Sequence, residues 1–500
     1  MNKLEVLQDI SFGNQIAEEE RDVLRSYFVE TNTWRKILRN EIDIIYGPKG
    51  SGKSALYLLV QDNKEYLTKN KIILVPAENV RGDPAFKAIA LDPPASEREF
   101  TNIWKLYFLT LIARAVNQND FNSKIAKKFI SIMQESNLLL SETSTLGSIL
   151  KFVQSYIKKM GNPSAFEGSV SVGEATGTIT GFSGRIIFEE LGEEDAKSGK
   201  VSASELFNMA ESVLQEADHK IWILLDRLDV AFDEASDLER NALRALFRAY
   251  RDLRSCNNLI LKIFLRTDIW ERISDSGFRE ATHLSRDLRI KWDKNSLKNL
   301  IIRRVLGNDS VIKFYDIDKD KILGSSDLQQ DLFLKMFPDQ VEVGEKQSST
   351  FDWLIKRTAD GTGQNAPREI IFFLNNLVEK QAQILERGES EPDGTWLFDR
   401  ATFKQALPEL SEYRIVKVLY SEYPDLKKYI EALKTEKTEH TVLSLSKLWN
   451  VDVTQARTIA SRLKDIGFFE ERGSRSAPSY WVPFIYRPYL NLVQGKADDN

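Results

Sequence analysis

The stretch EIDIIYGPKGSGKSALYLLV, residues 41–60, constrains the fold more than any other part of the chain. Ile42 to Tyr46 is a short apolar run that suits a buried strand. Gly47 to Ser54 reads G-x-x-x-x-G-K-S, and Ala55 to Val60 continues with good helix formers. The order is what the chemistry needs. Glycines let the backbone curl until successive N–H groups converge on phosphate oxygens. A helix starting directly after the loop adds fractional positive charge beneath them. Gly47, Pro48, Lys49, Gly50, Ser51, Gly52, Lys53, Ser54 and Ala55 are therefore the candidate nucleotide-binding residues. Lys53 is expected to reach the β- and γ-phosphates, and Ser54 to place its hydroxyl on Mg²⁺.

A phosphate loop of this kind needs a metal-holding acid at the end of a neighbouring strand. HKIWILLDRLDVAFDE, residues 219–234, supplies it: Ile221 to Leu225 is continuously apolar and ends on Asp226. A carboxylate there would meet Mg²⁺ through water. Arg227 stands where many such ATPases carry the glutamate that polarises the attacking water. Asp229 is the candidate for that catalytic role, with Asp233 and Glu234 in reserve. The alternative makes Asp229 an acid that complements a helix N-terminus. A third strand, within NLILKIFLRTDIWERI at 258–273, is apolar from Leu259 to Leu265 except for Lys262. It ends at Arg266, whose planar fork suits a γ-phosphate. Thr267 or Asp268 can cap the helix that follows.

GPKGSGKS, WILLDRLD and IFLRTD, in this order, resemble the P-loop ATPases with an additional strand, in the AAA+, STAND and KAP-type groups. The flanks at 12–34 and 283–306 resemble a bacterial family often encoded among antiphage defence genes. The resemblance covers roughly residues 10–380. It implies an α/β P-loop core with a parallel sheet, ATP and Mg²⁺ as cofactors, and a helical lid. Nucleotide would sit between core and lid. NAPREIIFFLNN, residues 365–376, resembles the second-sensor helix of such lids, which implies that Arg368 reaches the nucleotide; the alternative is an exposed arginine on an amphipathic helix. Pro367 suits a helix start, with Asn365 as a candidate cap. Arg279, Arg286 and Arg289 lie where arginine fingers often sit, and sequence does not choose among them.

The expected domains are a core over 1–290, a lid over 291–410 and a winged-helix-like module over 411–490. The core carries a helical and β-hairpin insertion at about 118–195. The hairpin is read at 166–190 from the alternation of Val170, Val172 and Ile179 with small polar residues. In the last module, Asp452 or Thr454 caps a helix with Val453, Ala456, Ile459, Ala460 and Leu463 on its buried face, and Gly467 ends it. This resembles the C-terminal winged helix of origin-recognition-type ATPases. If the module binds DNA, Gln455, Arg457 and Arg462 face the major groove, and Arg472 and Arg475 approach phosphates at the wing. Acidic neighbours weigh against DNA, and winged helices also serve as protein-packing modules.

Composition narrows the rest. A formal net charge of −5 confines any nucleic-acid binding to a local patch. One cysteine, Cys256, excludes an internal disulfide and points to a reducing, cytoplasmic setting. Three scattered histidines make a structural zinc site improbable. No run of about eighteen apolar residues and no signal peptide is present, so no membrane partner is expected. The expected function is an ATP-hydrolysing switch that changes conformation or assembly, in bacterial antiviral defence. Its expected partners are further copies of itself and an effector encoded nearby. The rivals are a DNA-bound ATPase of replication or transposition and a nucleotide-gated scaffold that hydrolyses little.

Overall fold

The computed structural model describes residues 1–77, 96–139, 146–160, 186–188, 200–226, 228, 236–275, 284–474 and 477–498. The chain forms two compact units. The sheet unit comprises Thr33–Gly47 and Lys53–Arg289; the helical unit comprises Met1–Asn32, Pro48–Gly52 and Ile290–Asn500.

In chain order the described strands of the sheet unit are β1 (Ile44–Gly47), β2 (Ile72–Pro76), β3 (Ile186–Ile187), β4 (Val201–Ser202), β5 (Lys220–Leu225), β6 (Leu259–Arg266) and β7 (Asp287–Arg289). Five form one all-parallel sheet in the order β2-β5-β6-β1-β7. Thus β6 lies between the strand that leads into the glycine loop and the strand that ends before Asp226. This is the α/β, additional-strand P-loop architecture. Parallel pairing requires crossover connections, and helices supply them. Ile221–Leu225 are all at most 1% exposed, as expected for a strand covered on both faces.

The helix Glu97–Gln118 is capped by Ser96, whose Oγ accepts from Glu99 N at 3.2 Å. It is buried along most of its length. Trp104 donates Nε1–H to Ala242 O at 2.8 Å, and Tyr107 OH donates to Ala77 O at 2.8 Å. Each such fully buried aromatic contributes roughly 1.5–3 kcal/mol of transfer free energy. The helices Lys124–Glu135 and Leu146–Met160 share this core through Phe129, Met133, Ile149 and Val153. The hairpin read at 166–190 lies outside the described residues apart from its end, where β3 pairs in parallel with β4.

Lys262, the one charge inside the apolar run of β6, is fully buried. Its ammonium donates to Asn40 Oδ1 at 2.6 Å, Ile42 O at 2.5 Å and Asp43 Oδ1 at 3.0 Å. Asp43 also receives Tyr250 OH at 2.9 Å and lies 2.7 Å from Arg286 Nε. Burial pulls the Lys262 amine down to about 8, against the pull of Asp43. Arg286, one of the finger candidates, is thus held by Asp43 of its own unit. Arg289 Nη1 lies 4.0 Å from Glu271.

The helical unit opens on Lys3–Asp9, capped by Asn2, and its N-terminal segment is fastened by Arg304. That guanidinium grips Glu20 at 2.9 and 2.8 Å, both side chains being buried. Helix Pro367–Glu386 begins without a side-chain cap. Asn365, read as its cap, instead donates its amide to Ile355 O at 2.6 Å and Thr358 Oγ1 at 2.9 Å. Helix Arg400–Glu412 runs straight into a π-helix, Tyr413–Leu419, and a last turn, Tyr420–Glu422.

The unit ends in β8 (Lys437–Thr441), helices Val442–Trp449 and Val453–Asp465, the hairpin β9 (Glu470–Ser474) and β10 (Ala477–Trp481), and β11 (Val493–Lys496). The sheet order is β11-β8-β10-β9. Asp452 caps the second helix, its Oδ1 accepting from Gln455 N at 2.9 Å. Ala456, Ile459, Ala460 and Leu463 are buried, but Val453 is 42% exposed. As the first helical residue it precedes the turn whose inner face meets the core. Gly467 follows this helix with φ +78°, a left-handed conformation that favours glycine.

Candidate functional site

The glycine-rich run is divided between the units, and each part is described with its own. In the sheet unit, β1 delivers Gly47 and the helix Lys53–Asp62 starts at Lys53. Lys53 Nζ donates to Gly47 O at 3.0 Å. Ser54 Oγ donates to Asp226 Oδ2 at 2.9 Å, across 172 residues of chain. Asp226 follows β5 directly and is 6% exposed. Parallel pairing thus brings the hydroxyl and the carboxylate to the same edge of the sheet. Gly47 pairs with Arg266, so the arginine leaves β6 beside the first loop residue. Its fork closes on Asp268, Nε–Oδ1 and Nη2–Oδ2 both 3.0 Å. Tyr57, buried in the helix after the loop, packs edge-on against Phe264. Arg227, Asp229, Asp233, Glu234 and Arg279 lie outside the described residues.

Two hard oxygens, a hydroxyl and a carboxylate, fit Mg²⁺, which keeps several waters and takes its other ligands from phosphate. Ser54 and Asp226 are the residues that would hold it. Among the described residues there is no cluster of three or more His, Cys, Asp or Glu side chains suited to a metal.

In the helical unit lie Pro48–Gly52. Gly50 has φ +78° and Gly52 φ +95°, both left-handed. At Gly50 space is also limiting: a Cβ there would lie 2.9 Å from Arg368 Cβ and 3.4 Å from Ala366 Cβ. Arg368 thus stands against the loop backbone in the first turn of its helix, with Nε 3.4 Å from Gln15 O. Trp292 donates Nε1–H to Ser51 O at 2.9 Å. The Ser51 hydroxyl is buried without a hydrogen-bond partner, a donor that a phosphate oxygen could accept. Lys49 forms an ion pair with Glu422.

The arginines read as DNA contacts are variously engaged. Arg457 is exposed. Arg462 pairs with Asp425 at 2.7 Å. Arg472 pairs with Glu470 at 2.8 and 3.1 Å and stacks 4.0 Å from the Trp481 ring centre. Arg475 lies outside the described residues. Exposed pairs of this kind are worth at most about 1 kcal/mol and are readily exchanged for another anion.

Sequence reasoning missed Glu422, Glu369 with its partner Arg414, and the Asp43 end of the Lys262 network. Only the last had a visible signal. In EIDIIYG the acid Asp43 stands among apolar residues just before β1, and in LILKIFL the base Lys262 stands inside β6.

No protein-family model matches the chain. Over 323 residues it is 24% identical to the transposon gamma-delta 80.3 kDa protein of Escherichia coli (strain K12). The match covers 62% of this chain and 41% of that protein, so the chain spans about two fifths of its relative's length. Among solved structures, the Aeropyrum pernix ORC2 protein in its ADPNP–ADP complexes overlaps 95% of this chain and 94% of its own, at 12% identity and a TM-score of 0.30. Its ADP form gives the same identity and TM-score. An overlap that loose carries no argument, and the fold rests on this chain's own strand order. Among the described residues no helix is long and apolar enough to cross a membrane.

Proposed function

We propose that the chain binds ATP with Mg²⁺ and works as a nucleotide-driven switch that hydrolyses ATP. The observation that carries this reading is the 2.9 Å contact between Ser54 and Asp226, delivered by β1 and β5 on either side of β6. In this reading the loop amides and Lys53 hold the phosphates, and Ser54 and Asp226 hold the ion. Arg266 and Arg368 report on the γ-phosphate, and Asp229 orients the attacking water. The bound ion supplies charge neutralisation at the phosphates. The output is a changed conformation or assembly of identical copies, passed to an effector. The resemblance in the flanks at 12–34 and 283–306 favours antiviral defence as the setting.

Steady-state phosphate release and calorimetric ATP titration test the core of this proposal. Lys53→Ala is expected to lose nucleotide binding. Asp226→Asn is expected to keep nucleotide but lose the Mg²⁺-dependent gain in affinity. Equal release and equal binding by wild type and Lys53→Ala refute the ATPase. Binding without measurable release by wild type would leave a nucleotide-gated scaffold.

A second reading, an ATPase acting on DNA, has its own support in the similarity to a transposon protein. Two helices followed by a hairpin at the C-terminus are the parts of a winged helix. Duplex affinity that falls steeply with salt, and falls again in Arg457→Ala, supports it; no duplex binding at low salt removes it.

A further inference from the structure

We infer that Glu422 is a positioning residue for the phosphate loop: its carboxylate holds the Lys49 ammonium and so sets the charge that an arriving phosphate meets. The inference rests on the nucleotide reading above and names the regulation of that site.

Lys49 sits in the loop between Gly47 and Gly50, and Glu422 lies 373 residues later. The lysine side chain is 37% exposed and the glutamate 15%. Glu422 closes the helical stretch that starts at Arg400 and passes through the π-helix Tyr413–Leu419. π-Turns inside helices recur at functional sites.

The same stretch reaches the loop's surroundings a second way. Arg414, on the π-helix, donates Nη1–H to Glu369 Oε1 at 3.0 Å and lies 3.7 Å from Asp360 Oδ2. Glu369 directly follows Arg368, the residue packed against Gly50. Tyr413 stacks on Phe372 with ring centres 4.5 Å apart. Its phenol, pushed up mainly by burial, also feels the charges of Arg368, Glu369, Arg414 and Glu422. One helical stretch therefore carries both the carboxylate that engages Lys49 and the guanidinium that fixes the neighbour of Arg368.

The consequence is electrostatic. A phosphate arriving at the loop brings negative charge beside a lysine that Glu422 already neutralises. It must share or displace that carboxylate. Glu422 thus opposes nucleotide binding, and nucleotide in turn loosens Glu422, because coupling between two sites is reciprocal. Reseating the C-terminal stretch would then change nucleotide affinity without any new contact to the nucleotide.

The test uses the full chain, with a non-hydrolysable ATP analogue titrated calorimetrically at fixed Mg²⁺. Variants are Glu422→Gln, Lys49→Ala, the double variant and Lys53→Ala. Glu422→Gln is expected to bind about three- to fivefold more tightly at low salt, with the gain shrinking at high salt. Lys49→Ala is expected to weaken binding. In the Lys49→Ala background Glu422→Gln should still relieve repulsion, but by a different factor, so the cycle does not close additively. Hydrogen exchange in residues 413–422 should quicken when the analogue binds wild type and stay unchanged in Glu422→Gln. Glu422→Asp, which keeps the charge, should return affinity toward wild type.

If wild type binds, Lys53→Ala fails and Glu422→Gln matches wild type in affinity and exchange, the positioning role is overturned while the nucleotide site stands. If Lys53→Ala binds as well as wild type, the nucleotide reading falls and this inference with it. Thermal melting of each variant identifies a weakened chain, and the exchange measurement on wild type reads the coupling without any substitution.

Discussion

Two ion pairs tie the C-terminal helical stretch to the rest of its unit, and they differ in what surrounds them. The Glu369 and Arg414 side chains are 4% and 11% exposed, with Asp360 also near the guanidinium. The Lys49 and Glu422 side chains are 37% and 15% exposed. Burial pushes the Glu369 carboxyl up, while Arg414 pulls the other way. Breaking a buried pair strands one charge in a poor solvent; a half-exposed charge can turn to water. The first pair therefore acts as a fixed fastening and the second as an exchangeable contact. Only the second can answer to a nucleotide without unfolding the unit around it.

The most direct way to break this contrast is to remove one carboxylate from each pair. Glu369→Ala is expected to cost about 3–5 kcal/mol, because Arg414 is left buried. Glu422→Ala is expected to cost less than about 1 kcal/mol. Urea unfolding of the two variants beside wild type reads both numbers. Similar losses would erase the distinction between fastening and contact.

The two pairs also mark how far the sequence could be read. The sheet was legible because its cause is local: apolar runs such as Ile221–Leu225 end on a polar residue, here Asp226, and the glycine pattern fixes the loop. The meeting of Ser54 with Asp226 followed from that, since parallel strands bring their carboxyl ends to one edge. The resemblance placed Arg368 near the loop, and its side chain packs against Gly50. Glu422 was not legible. Nothing near it in SEYRIVKVLYSEYPD distinguishes it from any solvated helix charge. Its partner is set by tertiary folding across hundreds of residues. Glu369 was hidden for a similar reason, since an acid in a first helical turn already has a local explanation in the helix dipole.

The sheet unit offers an independent check on the rule that burial makes a pair permanent. Lys262 and Asp43 side chains are 1% and 7% exposed. The folded chain releases the Lys262 proton near 8, whereas the unfolded chain holds it to the ordinary lysine value of 10.5. Between those values the folded state binds fewer protons, so this residue adds stability as pH rises. The wild-type advantage over Lys262→Met should therefore grow above pH 8, by at most about 1.4 kcal/mol per pH unit. Denaturant titrations of both proteins at about pH 7 and about pH 9, roughly one unit either side of the folded-state transition, measure it. A constant difference would mean that the amine keeps its proton throughout, held by Asp43.

The smallest effect is expected at a pair whose two side chains are both more than half exposed. Arg462 and Asp425 side chains are 52% and 57% exposed, and their 2.7 Å contact looks on paper as good as any buried one. Solvent screening and side-chain entropy take most of that back, so Arg462→Ala should change unfolding free energy by no more than about 0.5 kcal/mol. A loss near that of Glu369→Ala would show that distance alone, not burial, ranks these pairs. The same variant sharpens the DNA reading. An exposed arginine paired this weakly can trade a carboxylate for a phosphate at little cost, so in a DNA-binding chain Arg462→Ala should lower duplex affinity and flatten its salt dependence by about one phosphate contact. If stability and duplex affinity both stay at the wild-type values, Arg462 belongs to the solvated face of its helix.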